Sequence, residues 1–509
     1  MEKYYEPEDI RRADVIASNE LGIPTLNLME EAGTNAARVI MDLCPSAMRF
    51  VVFAGHGNNG GDGFVAARVL LRAGKYVIVL KSAEDEKYKG DALANLTRLY
   101  EMNSDRCAVS CSKQLGDGDI AALLSSSECV VDALLGTGSS GSPRGEIARL
   151  ISFCRAPSFV VSLDIPSGID AKSGAVNSPC VKADATVTFL APKSGMSSQP
   201  ARGMCGRIIT KGIGVDPEAV LRGAEPLWCL DEGDIEPLKP RFGRTIHKGD
   251  RGGVLILGGS RCYRGAPLLA ALGALRAGAG LAVLAVPDFM VDSASLFLPE
   301  AVFVPLATDG GEIIPEKAAE AVLPWGRRCG AAVFGPGIGR ESGASGLTKL
   351  FWSEWPKSLV VDADALHFLA DAVGTRGARK DVVITPHAGE ASYLLGCEPR
   401  DVANDRKRSV KALTRFAGTA LLKGSGTLIS DGAETRKIVT GSPALAVPGS
   451  GDVLSGVIGA FLASGMEPFG AAALGALVHA AAGSKIEAER GADGALAREI
   501  ADEIRTVLR

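Results

Sequence analysis

Residues 50–70, FVVFAGHGNNGGDGFVAARVL, decide the fold. A continuous apolar run, a glycine-rich turn and an amphipathic run predict a buried strand, a tight loop and a helix. Gly55, Gly57 and Gly60 spell G-x-G-x-x-G, the spacing of a dinucleotide site. Asn58, Asn59 and Asp62 are side chains that a bare phosphate cradle does not need. A carboxylate beside a pyrophosphate is repulsive unless a cation or a reaction requires it. The next strand ends VLKSAEDE, with no clear acid at its tip to grip a ribose, so this is not the usual hydride-transfer fingerprint.

The same alternation extends outward. Apolar runs RFVVFAG (49–55), YVIVLK (76–81), CVVDALLG (129–136), FVVSLDIPSG (159–168), ATVTFLAPK (185–193) and GRIITKGIG (206–214) have helical stretches such as 64–73 and 88–101 between them. Continuous apolar strands predict a parallel sheet buried on both faces, with ligands outside the C-terminal strand ends. The polar tips GNNGGDG, DALLGTGSSG, DIPSG and APKSG all fall there and are expected to converge. Residues 216–240, without a strong period and rich in proline and acids, predict a linker between domains 1–215 and 241–509. A second α/β series follows: GGVLILGGS (252–260), LAVLAVP (281–287), AAVFGPGIG (331–339), LVVDADAL (359–366), VVITPHAGE (382–390) and TALLKGSGTLIS (419–430). It closes on VPGSGDVLSGVIGAFLASG (447–465), a glycine loop opening a long apolar helix.

At 509 residues, 46% apolar and with 62 glycines, the chain fits two or more α/β domains. A net charge of −4 leaves no basic excess for nucleic acid. The eleven cysteines and five histidines are dispersed, which predicts free thiols in a reducing cytosol and no zinc site. The N-terminus, MEKYYEPEDIRRADV, has no apolar h-region. Segment 265–286 is apolar but interrupted by Arg276 and glycines, as in a buried helix–strand unit. A cytoplasmic protein without a membrane span is expected.

In the second half, PGSGDVLSG leaves backbone N–H groups free to face an anion. Asp452 would open the helix, where the macrodipole favours its ionised form, ready to take a proton from a hydroxyl. An N-capping aspartate after a glycine turn fits the same pattern. LLKGSGTLI places Lys423 to meet a phosphate or an adenosine edge. TPHAGE puts His387 and Glu390 at a strand end, and His387 is the least ordinary of the histidines. His247 and Lys248, before the first strand, fit a solvated turn equally well.

These motifs, together with HKGDRGGVLILGGSRCYRGAPLLAALGALRAGAG and FGPGIG, resemble the ribokinase-like superfamily. More narrowly they resemble the ADP/ATP-dependent NAD(P)H-hydrate dehydratases, over roughly 240–509. The resemblance implies that the hydrated nucleotide contacts Ala266, Gly337, His387 and Asp452. It places the adenine nucleotide against Lys423, Gly424, Ser425, Gly426, Thr427 and Gly451. It also implies phosphorylation of the hydrate hydroxyl followed by loss of phosphate, with Asp452 as base and Mg²⁺ accompanying ADP or ATP. Asp362, Asp364 or Glu390 could orient hydrated Mg²⁺, or simply cap the loops after their strands.

The first half, through GHGNNGGDGFVAARVL, VVDALLGTG, SLDIPSGID and FLAPKSG, resembles the NAD(P)H-hydrate epimerases (YjeF N-terminal-like, Rossmann-like) over roughly 10–215. The resemblance implies K⁺ at Asn59, Asp132 and Ser167. It implies hydrate binding by Asn58, Asn59, Gly60, Gly61 and Asp62, by the loop Gly136, Thr137, Gly138, Ser139, Ser140, Gly141 and Ser142, and by Asp164. Asp164 and Lys193 are the candidate acid–base groups. An exposed, solvated Lys193 and an orienting or capping Asp164 are the plain alternatives. The expectation is a bifunctional repair enzyme for NADHX and NADPHX, assembled as a homo-oligomer. A ribokinase-superfamily small-molecule kinase with an accessory Rossmann domain, or a non-catalytic nucleotide sensor, would share some of these loops.

Overall fold

The computed structural model describes residues 1–509 except 155–158, 242, 244, 246 and 248, and the side chain of Ser342. Lys248 therefore lies outside the described residues. The chain divides into two compact units, Lys3–Leu227 and Trp228–Arg509, the latter joined by Met1–Glu2.

In the first unit the strands are β1 (Arg49–Ala54), β2 (Tyr76–Lys81), β3 (Cys107–Cys111), β4 (Cys129–Ala133), β5 (Phe159–Leu163), β6 (Ala185–Phe189) and β7 (Arg207–Lys211). They are ordered β3-β2-β1-β4-β5-β6-β7, all parallel. The order reverses between β1 and β4, the switch point where doubly wound sheets bind ligands. Alternate residues of β1 feed two cores. Phe50, Val52 and Ala54 pack on one face, and Val51 and Phe53 on the other. Helix α1 (Asn58–Arg72) starts inside the glycine loop. A Cβ on Gly60 would lie 1.8 Å from the Gly55 carbonyl oxygen, so glycine is what lets this helix sit against the end of β1.

The second unit carries β8 (Leu227–Leu230), β9 (Gly253–Leu257), β10 (Leu281–Pro287), β11 (Val302–Leu306), β12 (Ala331–Phe334), β13 (Ser358–Val361), β14 (Arg379–Ile384), β15 (Ala417–Leu422), β16 (Leu428–Ser430) and β17 (Thr435–Ile438). Their order is β8-β17-β16-β15-β14-β13-β12-β9-β10-β11, parallel except where β15, β16 and β17 run antiparallel. Helices α2 (Ala266–Arg276), α3 (Ala388–Leu395), α4 (Ser450–Ala463) and α5 (Pro468–Arg490) flank the sheet.

The expected linker, 216–240, is not free chain. Pro217–Val220 is a helical turn capped by Asp216 and packed on helix Pro7–Asn19, β8 pairs with β17, and Ile235–Leu238 packs on α5. Apolar Leu227, Cys229 and Leu230 are buried there, which is why a proline- and acid-rich stretch still folds. Segment 265–286 forms α2 and β10, as its interrupted pattern predicts. Among the described residues, the helix long and apolar enough to cross a membrane is instead α5, and most of it is buried in the unit.

Candidate active sites

At the switch point of the first unit, the ends of β1, β4 and β5 surround a cavity of about 540 Å³. Asn58, Asn59, Asp62, Gly136, Thr137, Gly138, Ser139 and Asp164 line it. Gly60 and Gly61 do not; they are packing positions, with Met29 against Gly61. Ser140, Gly141 and Ser142 continue the loop outside the lining, all three exposed.

Asp164 has φ +65°, a left-handed conformation that aspartate tolerates better than most residues. Its Oδ2 accepts from Thr137 N (3.0 Å) and Thr137 Oγ1 (2.7 Å), and its Oδ1 pairs with Lys193 Nζ. Burial alone would raise this carboxyl, but the Lys193 charge and the Thr137 bonds outweigh it and hold it below the ordinary range. Lys193 is not exposed, as its small polar context suggested: it is 0% accessible and also donates to Thr188 Oγ1 (2.8 Å) and Phe189 O (3.2 Å). The backbone at Tyr5 pairs with the backbone on either side of it. Tyr5 N donates to Pro192 O (2.9 Å) and Ser194 N to Tyr5 O (2.8 Å).

Asp132 is buried and satisfied. Its carboxylate accepts from Ser162 Oγ (2.8 Å), Ser167 Oγ (2.6 Å), Ser167 N (2.9 Å) and Leu134 N (3.2 Å). Burial still raises it, the hydrogen bonds offsetting only part of the rise. Asn59 Nδ2 donates to Leu135 O (2.9 Å), while Asn59 Oδ1 is buried with no hydrogen-bond partner. Asp14, from helix Pro7–Asn19, also lines the cavity, and sequence reasoning missed it. Its signal is a carboxylate sharing a helix face with buried Ile10, Ala13 and Ala17.

In the second unit, carboxylates from separate strand ends gather around one lysine. Lys423 Nζ lies 2.8 Å from Asp362 Oδ1 and 3.9 Å from Glu390 Oε2. Asp452 sits in the first turn of α4, behind Gly449 in the left-handed region. Contrary to the expectation of a firmly ionised group, its carboxyl is pushed up to about 7, by burial first and then by Asp362, Asp364 and Glu390, with Lys423 opposing. The helix N-terminus is outweighed by burial first and by neighbouring negative charge second. Buried His479 donates from Nε2 to Ser450 O (3.0 Å) and anchors this turn, a role the sequence did not reveal.

His387 is a helix cap: its Nδ1 accepts from Gly389 N (3.0 Å) and Glu390 N (3.3 Å), while Glu390 Oε2 accepts from His387 N (2.8 Å). Burial and then Lys423 lower its pKa, so the imidazole is neutral with its proton on Nε2. Asp362 likewise caps the turn after β13. Asp364 accepts from Gly339 N (3.2 Å) and borders a cavity of about 690 Å³ lined by Gly259–Tyr263 and Ile338–Glu341. Gly337, with φ +65°, lies against Tyr263 and Ala266 at its edge. Behind the Lys423–Thr427 loop, Arg406 donates to Leu422 O (3.1 Å) and to the Lys423 and Gly426 carbonyls, and Gly451 packs on Lys423. The structure thus groups Asp452, Lys423, Gly451 and His387 around the carboxylates, and Ala266 with Gly337 at the larger cavity.

The NAD(P)H-hydrate dehydratase family model matches residues 254–506, and the YjeF-related protein N-terminus matches 25–195. A bifunctional NAD(P)H-hydrate repair enzyme from Thermanaerovibrio acidaminovorans is 40% identical over 99% of this chain and 98% of its own length. The Escherichia coli enzyme of that description is 35% identical over 97% of this chain and 91% of its own. Among solved structures, an ADP/ATP-dependent NAD(P)H-hydrate dehydratase from Bacillus subtilis, co-crystallized with ATP/Mg²⁺, aligns at 25% identity and TM-score 0.47 over 55% of this chain and 97% of its own. With both halves matched in order and full-length relatives at this identity, the chain belongs to the bifunctional NAD(P)H-hydrate repair enzymes.

Proposed function

We propose that the first unit interconverts the R and S epimers of hydrated NADH and NADPH at C6. The second unit dehydrates the S form to NAD(P)H, consuming ADP or ATP and releasing AMP or ADP with phosphate. The observation that carries this reading is Asp452, a carboxylate with a pKa of about 7 on a glycine-led helix, within the field of Lys423. A base is most effective when its pKa lies near the working pH.

Hydroxide leaves poorly, whereas phosphate leaves readily. Asp452 takes the proton of the C6 hydroxyl as that oxygen attacks the terminal phosphorus, and the nucleotide departs with the P–O electron pair. The N1 lone pair then expels phosphate from C6, and loss of a C5 proton completes the dihydropyridine. This assigns the hydrate to Ala266, Gly337, His387 and Asp452, and the adenine nucleotide to Lys423–Thr427 and Gly451. Asp364 and Glu390 supply oxygen donors suited to hydrated Mg²⁺, whose chemistry would be charge neutralisation between phosphates.

In the first unit Asp164 and Lys193 act as acid and base, and the hydrate lies against Asn58–Asp62 and the Gly136–Ser142 loop. The unpartnered Asn59 Oδ1, with Asp132 and Ser167 nearby, fits an oxygen-coordinated K⁺, which would offset the acidic wall. A homo-oligomer completes the reading, tested by light scattering.

The test is absorbance at 340 nm after adding the protein to mixed R and S hydrates with Mg²⁺, K⁺ and ADP or ATP. Full recovery of NADH with one phosphate per NADH is expected. A stable phosphorylated product without NADH would instead favour a small-molecule kinase.

A further inference from the structure

We infer that Asp14, on the N-terminal helix, is the second proton-carrying group of the first unit's cavity, serving the face of the nicotinamide ring away from the Asp164–Lys193 pair. This rests on the epimerase reading above.

The argument begins with stereochemistry. When C6 inverts by loss and re-addition of its hydroxyl rather than by opening of the C6–N1 bond, the hydroxyl leaves one face and water arrives on the other. An acid–base pair pinned to one wall reaches one face only. The Asp164–Lys193 pair is pinned: Lys193 is inaccessible, and Asp164 is tied to it and to both the N–H and the hydroxyl of Thr137. A second group must come from a different element.

Asp14 meets that need. It comes from helix Pro7–Asn19 rather than from a strand end, and it lines the cavity beside Ile10 and Arg11. Among the described residues it has no hydrogen-bond or ion-pair partner. The charged and titratable groups around the cavity are Arg11 on its own helix, His56 and Asp62 from the glycine loop, Asp91 from helix Gly90–Glu101, and the Asp164–Lys193 pair. Asp14 is an exposed residue whose carboxyl is nonetheless crowded by surrounding protein. That crowding, and next the charge of Asp164, push it up to about 6, with Lys193 opposing. It can therefore carry a proton near neutrality and recover one from solvent. The buried, unpartnered Asn59 Oδ1 in the same cavity independently marks a polar ligand site.

In one direction the C6–O bond breaks and its electron pair leaves on oxygen. Asp14 supplies the proton that makes the leaving group water, and the N1 lone pair forms a C6=N1 double bond. Water then adds to the opposite face of C6, its proton passes to Asp164, and the N1 lone pair is restored. The reverse reaction exchanges the two roles.

The experiment uses the full chain with pure R hydrate in H₂¹⁸O, following epimerisation by NADH formation with excess dehydratase capacity and oxygen exchange by mass spectrometry. For Asp14→Asn, a fall in kcat of about 10²–10⁴-fold is expected. KM should change little, dehydration of the S form should be unaffected, and Asp14→Glu should recover part of the rate. The S hydrate sampled before nucleotide is added should carry one ¹⁸O in the wild type, and the limb of the pH profile near 6 should vanish in Asp14→Asn. An unchanged kcat, a change confined to KM, or retention of ¹⁶O would overturn the proposal. So would loss of the limb in Asp62→Asn but not in Asp14→Asn. Absence of epimerisation by the wild type would overturn the epimerase reading itself. Should Asp14→Asn lose dehydratase activity through misfolding, Asp14→Glu and Asp14→Ser carry the same comparison.

Discussion

Lys423 Nζ stands 2.8 Å from Asp362 Oδ1, a lysine from the end of β15 neutralising a carboxylate from the end of β13. Asp362 is only 1% accessible, and Glu390 and Asp452 both feel the lysine's charge. It is the counter-charge shared by Asp362, Glu390 and Asp452, while Arg340 pairs with Asp364. Lys423→Met should destabilise the second unit by about 3 kcal/mol, since breaking a buried pair leaves an unpaired charge. It should also move the activity limb assigned to Asp452 above 7. Urea unfolding and a dehydratase pH profile test both effects.

Dehydratase activity should fall as pH drops through about 7, because the raised Asp452 carboxyl is protonated below that value and cannot accept a proton. Glu390, also pushed up to about 7, titrates with it, so the limb belongs to the coupled groups. Asp452→Asn should lower kcat by about 10²–10⁴-fold. The stability effect has the opposite sign. A folded pKa above the unfolded one means that the folded state loses stability as pH rises from about 4 to about 7. Asp452→Asn should therefore gain about 2 kcal/mol at pH 8, discounted for partial exposure and measured by calorimetry.

Asp164 behaves the other way. Its lowered carboxyl contributes stability above its unfolded pKa, and that contribution disappears as pH falls through the folded value. Lys193→Met should erase this dependence and abolish epimerisation while dehydration of the S hydrate continues. Acid titration of the melting temperature, beside separate assays of the two epimers, distinguishes these outcomes.

Asn59→Leu removes the unpartnered buried oxygen together with the Nδ2 donor to Leu135 O. Epimerisation by the wild type should rise with KCl at constant ionic strength, and the variant should not respond. Equal stimulation of both proteins would remove Asn59 from the proposed K⁺ site.

Gly60→Ala would bring a Cβ to 1.8 Å from the Gly55 carbonyl oxygen. The first unit should fail to fold while the second keeps dehydratase activity, readable as loss of one calorimetric transition.

The strand tips were legible because a buried parallel sheet writes itself as apolar runs ending in glycine, aspartate or proline. Elements lacking that signature were not. Strand β3, CAVSC, is short and partly exposed at a sheet edge, and β11 contains Pro305. The antiparallel return of β16 hides within TALLKGSGTLIS, which reads equally as a strand and its loop. At the sites, local sequence misled wherever distant chain supplied the environment. Buried Lys193 is bridged through its backbone to Tyr5, far away in sequence, and the carboxyl of Asp452 is raised by burial and then by residues from two other strand ends. Nothing local to Asp14, beyond the buried residues on its helix face, distinguishes it from any other charge on an amphipathic helix; the fold sets it in the cavity lining.

Helix α5 has a bearing on biogenesis. Its apolar length would suit a lipid bilayer, yet it packs against β14, β15 and β17 and is mostly buried. Those strands all precede it, so during translation its docking surface leaves the ribosome first. A nascent α5 thus meets a waiting protein face, and the order of synthesis itself competes with misrouting into lipid.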